Sequence, residues 1–448
     1  VRDFRRVADT VAAQIAAGKL RAGDRLPTQR AFARRHGIAD STANRVYAEL
    51  ARRGLVVGEV GRGTFVRATT PPAGPALAEP TATARVDLEL NYPVVEGQSA
   101  LLGAGLARLA RPDVLEAALR PAGAAGTPAA RRAVAALLAR GDWAPDPGAI
   151  LFAGNGRQAI AGSLAALVPP GGRLGVEAFT YPVVKALAAR LGIGLVPLPC
   201  DAYGLLPGAL LAAHRDAPLA AVYLQPTLHN PLGTTMPDAR RAELAAALRE
   251  SELVAVEDAI WSFLREDDAP PPLAAHAPER VVLADSLSKR LAPGLTLGFA
   301  VAPPPLAGRL ATALRSGAWT ATGYALEAAT GWLTDGTAAA VAAAKRADAA
   351  DRGRIAASAL DGFTVRADPR SYFCWWELPE LWRADTFTAA AARHGIAVTP
   401  GASFAVGPHR APNAVRIGLA SPPPDLLAHT LGVLAAIARG TPEDCAPE

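Results

Sequence analysis

Lys289 lies in Asp285-Ser286-Leu287-Ser288-Lys289-Arg290, in a chain that uses arginine almost wherever it carries a cation. Of its 46 basic residues, 42 are arginine and four are lysine: Lys19, Lys185, Lys289 and Lys345. A lysine in such a chain marks a task that a guanidinium cannot perform, and the obvious one is condensation of a primary amine with an aldehyde to give a Schiff base. For an isolated Ser-x-x-Lys the plainer reading is a surface lysine in a Ser/Gly loop. Other residues tip the balance. Gly154-Asn155-Gly156-Arg157-Gln158 opens a helix after an apolar run, an arrangement whose N–H groups can cradle a phosphate. Phe179-Thr180-Tyr181-Pro182 offers an aromatic face to a flat ring, and Gln225-Pro226-Thr227-Leu228-His229-Asn230-Pro231-Leu232-Gly233 sets an amide donor in a Pro-bounded turn. Asp258 follows another apolar run, where a carboxylate can pair with a protonated ring nitrogen. Each also has a plainer reading as an ordinary turn.

A phosphate cradle, a stacking ring, an amide donor, a buried carboxylate and an amine are together what pyridoxal phosphate requires. The elements that must position them are short apolar runs at 149–153, 173–177, 220–224, 253–257, 281–284 and 297–302, alternating with Ala/Leu-rich helical stretches. That alternation predicts a parallel or mixed sheet covered on both faces, with its site in the loops that follow the strands.

The first 67 residues are different in kind. They hold 14 basic and 6 acidic residues, against 32 and 35 in the remainder. A basic head on a slightly acidic body is the footprint of a polyanion-binding module. Phe4, Val7, Val11 and Ile15 predict a helix over 3–17, stopped by Gly18. A second helix is expected from Pro27-Thr28 to about Arg35. Asp40 or Ser41 would cap a third over 42–53, ended by Gly54. Residues 55–57 and 64–66 read as a hairpin. Three helices and a hairpin make a winged helix-turn-helix. Its third helix would enter the major groove with Ser41, Thr42, Asn44 and Arg45 leading, while Arg30 and Arg62 would hold phosphates and Gly61 and Gly63 would let the wing approach the nucleic acid backbone. Residues 68–85, rich in Pro, Ala and Thr, are expected to be a semi-flexible tether to a body spanning 86–440.

Cys200, Cys374 and Cys445 lie far apart and suggest neither a disulfide framework nor a metal pair, which fits a reducing cytoplasm. No apolar leader is visible at the N-terminus. The longest uncharged run, 291–308, is broken by Gly294, Gly298 and three prolines and reads poorly as a membrane span.

The head closely resembles the GntR-type winged-helix family in Leu26-Pro27-Thr28-Gln29-Arg30, Thr42-Ala43-Asn44-Arg45-Val46-Tyr47 and Gly61-Arg62-Gly63-Thr64-Phe65-Val66. The body resembles the fold-type-I aminotransferases in Asn230-Pro231-x-Gly233, Glu257-Asp258 and Ser286-x-Ser288-Lys289, and the whole chain is similar to the MocR subfamily of GntR regulators. The resemblance implies an N-terminal winged helix-turn-helix plus an α/β PLP-dependent transferase-like domain. It implies Lys289 as the imine lysine, Asp258 on the pyridine nitrogen, Asn230 on the ring hydroxyl and Tyr181 stacked on the ring. Gly156, Arg157, Gln158, Ser286 and Ser288 would surround the phosphate, and Arg416, in Asn413-Ala414-Val415-Arg416, would grip an effector carboxylate. Thr28, Gln29 and Arg30 join the DNA-binding set.

The sequence departs from that pattern in three places. Where relatives have a phosphate-binding arginine seven residues after the lysine, this chain has Thr296, leaving Arg290 or Arg157 to supply the charge. Ile260 or Trp261 replaces an aromatic hydroxyl, and Pro121 falls near the position of a phosphate-reaching tyrosine. One lost charged contact costs about 1.5–3 kcal/mol of affinity. The departures favour a sensor over an enzyme. The expected protein is a dimeric, cytoplasmic regulator that binds operator DNA and senses the cofactor or an amino compound. Exchange of that compound for Lys289 would shift the Arg416 region. A working aminotransferase with a DNA-binding tether is the main alternative, and a regulator that has lost the cofactor is the second.

Overall fold

The computed structural model describes residues 4–17, 19–20, 24–53, 55–59, 63–66, 84–266, 268–407 and 412–442. Gly18, Gly54, Gly61, Arg62, Cys445 and nearly all of the expected tether lie outside them.

The head packs three helices, Phe4–Ala16, Gln29–His36 and Asp40–Arg52, under the hairpin Val56–Glu59 and Gly63–Val66. Phe4, Val7, Ala8 and Val11 form the buried stripe of the first helix, and it meets Ala43, Val46, Tyr47 and Leu50 of the third. Thr28 caps the second helix by accepting from the Ala31 N–H, and Gly37 closes it in the left-handed region at φ 62°. The third helix corrects the sequence expectation: its N-cap is Ala39, which has no capping side chain. Asp40 falls inside the first turn, where its charge faces the helix dipole. The hairpin pairs Val56 with Val66 and Glu59 with Gly63. Gly63 sits at φ 120° with the Arg25 guanidinium so close that an added Cβ would lie 2.7 Å from its Nε. The need for glycine there thus arises within the head itself.

In the body, a seven-stranded sheet runs in the order Ile150–Ala153, Gly298–Val301, Val281–Ser286, Ala255–Asp258, Ala221–Leu224, Arg173–Glu177 and Gly194–Leu198. All of its pairings are parallel except those of Gly298–Val301. Both faces are covered, so the inner strands are buried and mostly apolar, while the edge strand Gly194–Leu198 is only partly buried. The edge strand Gly194–Leu198 was not foreseen, having no motif to mark it.

A smaller antiparallel sheet pairs Thr364–Arg366, Phe373–Glu377, Ala414–Gly418 and Thr399–Pro400. The helix Thr337–Ala359 joins the two parts. Residues 86–87 pair with 396–397, and the Gly418 N–H donates to the Leu88 carbonyl at 2.7 Å, so segment 86–92 is led across the small sheet toward Lys289. Lys185 ties the parts together elsewhere, its Nζ donating to the carbonyls of Ser403 and Ala405 at 2.8 Å each.

Among the described residues, head and body meet at an ionic crossing. Arg53 at the end of the third helix donates to Asp9 and Glu49, each at 2.8 Å. Asp9 also accepts from Arg383 of the body at 3.3 Å, where Arg383 caps the helix Ala384–Arg393. Burial works against the Asp9 charge, but the two guanidinium groups hold its carboxyl below the usual range. No helix among the described residues is long and apolar enough to cross a membrane.

Candidate functional site

Strand Val281–Ser286 delivers the lysine. Ser286 caps the single turn Leu287–Arg290, its Oγ accepting from the Ser288 N–H at 3.3 Å. Half-buried Lys289 donates from Nζ to the Asn91 carbonyl at 2.5 Å, with the Tyr92 and Trp261 ring centres 4.7 and 5.5 Å away. Burial, and then the neighbouring cations Arg157, Arg416 and Lys345, bring its pKa down to about 7. At neutral pH a large share of the amine is therefore unprotonated and nucleophilic.

This has a thermodynamic signature. The unfolded lysine titrates near 10.4, at about 1.4 kcal/mol per unit of displacement. Between roughly pH 7 and 10 the unfolded chain therefore binds more protons at this group, and folding stability rises with pH across that window. Lys289→Met should be more stable than wild type at pH 7, with the advantage shrinking as pH approaches 10. Parallel thermal melts at both pH values test this, and a constant difference would contradict it.

Asp258 ends the neighbouring strand, buried. It accepts from the Tyr223 hydroxyl at 2.6 Å, Gln225 Nε2 at 2.8 Å and the Ile260 N–H at 3.1 Å. Burial raises its pKa, and these hydrogen bonds only partly offset that. Gln225 Oε1 in turn accepts from the Asn230 N–H at 3.2 Å, so carboxylate, amide and turn form one chain. The Asn230 Oδ1 atom is buried with no partner.

On the other flank, Asn155 caps the helix Gly156–Leu167 by accepting from the Gln158 N–H at 3.0 Å. The Gln158 N–H is thus engaged within the cap, while its side chain lies against Gly154, whose added Cβ would sit 2.4 Å from Gln158 Oε1. Gly156 faces Ser286, whose Oγ would lie 3.0 Å from an added Cβ, and Ser286 Oγ is 2.6 Å from Ser288 Oγ. Arg157 is hydrogen-bonded to Tyr181, whose hydroxyl burial pushes up. Thr296 Oγ1 is buried without a partner, and Leu297 accepts from the Leu287 N–H at 2.9 Å, which holds this segment against the lysine turn.

Arg290 turns away, into a cluster with Glu266, Arg140 and Arg346. Of the two arginines left open by the sequence, Arg157 is the one beside Lys289. Trp261, the replacement for the aromatic hydroxyl, is buried against Tyr372 and Phe373, while Ile260 contributes only its N–H to Asp258.

Gly298 explains how tightly this flank is built. An added Cβ would lie 2.2 Å from the Asn155 carbonyl oxygen, a backbone atom that cannot swing aside. Gly298→Ala should displace the helix cap and cost about 1–3 kcal/mol or more, read as a lowered melting temperature. An unchanged melt would show that the two strands can part there freely.

Arg416, in the middle of strand Ala414–Gly418, is buried under Phe404. It donates to the Glu89 carbonyl at 2.6 Å and to Thr399 Oγ1 at 3.1 Å, while its Nε has no partner. Burial draws its pKa down to about 10, so it stays cationic at neutral pH.

Sequence reasoning missed four contributions. Tyr92 and the Asn91 carbonyl come from a segment with no motif. Tyr223 lies in an apolar run and Gln225 opens a turn already singled out, but their convergence on Asp258 is a matter of side-chain direction.

In the head, Thr28, Gln29, Arg30, Ser41, Asn44 and Arg45 are exposed and Thr42 is partly so. The Arg45 guanidinium lies over the Phe4 ring, 4.2 Å from its centre, a cation–π contact. Gly63 stands at the base of the wing, and Arg62 lies outside the described residues.

The family model for "Aminotransferase class I and II" matches residues 120–434, and that for "Bacterial regulatory proteins, gntR family" matches residues 4–66. The chain belongs to the class I and II aminotransferase family, with a gntR-family head. That pairing is consistent with the MocR subfamily. An uncharacterized HTH-type regulator of Bacillus subtilis, YdeF, is 27% identical over 94% of this chain and 90% of its own length. The TauR regulator of Rhodobacter capsulatus is 28% identical over 67% of each chain. The pyridoxine biosynthesis regulator PdxR of Corynebacterium glutamicum is 28% identical over 66% of this chain and 65% of its own. Among solved structures, a kynurenine aminotransferase from Pyrococcus horikoshii is 20% identical with a TM-score of 0.73, covering 82% of this chain and 93% of its own. An archaeal alanine:glyoxylate aminotransferase gives 0.72 at 22% identity, covering 79% and 90%. These likenesses show the fold. The aminotransferase class I and II fold is that of a PLP-dependent family, and gntR-type regulators bind operator DNA.

Proposed function

We propose that this MocR-type chain is a DNA-binding transcriptional regulator whose aminotransferase-like body, 86–440, holds pyridoxal 5'-phosphate on Lys289 and senses it or a small amino compound. Residues 1–67 form the head and 68–85 the tether. The observation that carries the reading is the Lys289 amine, held down to a pKa of about 7 between the Tyr92 and Trp261 rings.

The residues present fit the cofactor. Buried Asn230 Oδ1, Thr296 Oγ1 and Arg416 Nε lack protein partners around that amine, as they would where a polar ligand completes them. When bound, the cofactor supplies an aldehyde for covalent attachment and an electron-withdrawing ring. Asp258, oriented by Tyr223 and Gln225, would hold the proton on the ring nitrogen. Asn230 would meet the ring hydroxyl, and Tyr181 would cover the ring face. Gly156, Gln158, Ser286 and Ser288 would receive the phosphate with Arg157 as its cation. Arg416 would take a carboxylate through its unpartnered edge.

Replacement of the phosphate arginine by Thr296 favours sensing over turnover. The ionic crossing at Asp9 supports a route from body to head, since Arg383 belongs to the part of the body that carries Arg416. A homodimer is supported by exposed Leu101, Leu115, Leu119 and Tyr324 on adjoining helices, Leu119 being 82% exposed. Cysteine usage supports a cytoplasmic setting.

The test is a pair of titrations on the full-length protein. Addition of pyridoxal 5'-phosphate should give a visible absorbance band, and amino compounds should alter both that band and operator binding. A protein that stays colourless and whose operator affinity ignores amines would overturn the reading. Steady amino-group transfer at ordinary turnover would favour the aminotransferase alternative.

A further inference from the structure

The interior of the body holds a second lysine close to the first. Lys345, on the helix Thr337–Ala359, is wholly buried. Its Nζ donates to the Lys289 carbonyl at 3.0 Å and also to the Leu291 carbonyl. These are the exposed carbonyls at the end of the one-turn helix that carries Lys289, and such groups need donors. The Leu291 carbonyl also accepts from Gln98 Nε2 at 3.1 Å.

Two turns further along the same helix, Arg352 donates to the carbonyls of Leu419 and Pro422 at 2.7 and 2.6 Å, immediately beyond the strand of Arg416. Tyr372 lies across the span between them, its hydroxyl 2.8 Å from both the Lys345 carbonyl and Asp348 Oδ2 and able to donate its one proton to either. The helix thus grips the lysine turn at one point and the Arg416 strand at the next. A compact amine reaches two carbonyls in this space, which a planar guanidinium cannot match.

We propose that Lys345 is a positioning residue for Lys289: it fixes the turn that presents the Lys289 amine between Tyr92 and Trp261, and joins that turn to the Arg416 strand. The inference rests on the reading of Lys289 as the attachment residue. It also places a second cation near Lys289, alongside Arg157 and Arg416, with Asp348 as the acidic group facing Lys345.

The experiment is competitive acetylation of the protein without cofactor, read by mass spectrometry across pH, with exposed Lys19 as the internal reference. The rate of attachment of pyridoxal 5'-phosphate is measured in parallel. Wild type should show a Lys289 midpoint near 7. Lys345→Met should move the midpoint up by about one unit, leaving about fivefold less neutral amine at pH 7, and slow attachment to match. Lys19 labelling should not move. Lys345→Gln, which can still donate to one carbonyl, should recover part of the attachment rate, and it stands in if the methionine variant does not fold. An unchanged midpoint and rate in a folded variant would overturn the proposal and leave Lys345 a core residue. A shifted midpoint in a protein that never attaches the cofactor would uphold the positioning and overturn the attachment reading instead.

Discussion

Lys289→Ala should abolish the visible absorbance of the protein supplied with pyridoxal 5'-phosphate while leaving operator binding by the head intact. The loss follows from what remains. Without the amine, the cofactor is held only by hydrogen bonds and charge, and Thr296 has already removed one charged phosphate contact. Each such contact is worth about 1.5–3 kcal/mol, so retention after gel filtration should fall by at least about tenfold. The head is untouched because its hydrophobic cluster, built on Phe4, Val46 and Leu50, is separate from the core around Lys289. A persistent band in the variant would mean that another lysine carries the cofactor. Lys185 and Lys345 make poor substitutes, since both have their amines committed to backbone carbonyls.

Arg45→Ala combined with Arg62→Ala should give the largest effect on DNA. Arg45 is exposed on the third helix, its guanidinium over the Phe4 ring, and a planar fork there is suited to a base edge, a contact worth about 1–3 kcal/mol. Arg62, in the wing sequence, is expected at a phosphate, and its loss should lower the salt dependence of binding by about one unit of slope. Operator affinity should therefore fall at least about tenfold at fixed salt, while the absorbance of the body is unchanged. Operator binding that survives the double substitution would remove the third helix from its proposed role.

The sheet was legible because each of its runs is short, apolar and followed by a turn, and chemistry-bearing residues on such a sheet gather at the ends of its strands. Asp258 and Lys289 could be placed from that rule alone. What stayed hidden depends on distant packing. Asn91 and Tyr92 reach Lys289 from almost two hundred residues away, led by pairings of 86–88 with the small sheet that no local pattern encodes. That Arg290 leaves the lysine turn depends on Glu266, a distant partner that draws it aside. The N-cap of the third helix lies one residue before the expected caps, because Ala39 already has the extended backbone an N-cap needs. The role of Lys345 was invisible for the same reason: a mid-helix lysine in an alanine-rich stretch reads as surface.

The shared hold of Arg53 and Arg383 on Asp9 has a consequence for how such a protein would be read in a cell. If occupancy near Arg416 changes the strength of that crossing, and with it operator affinity, linkage requires operator DNA to change the affinity of the body for its effector by the same factor. The promoter then becomes a ligand that tunes the sensor. Two operators that grip the head differently would set two different effector thresholds for a single regulator, with no change in its pocket.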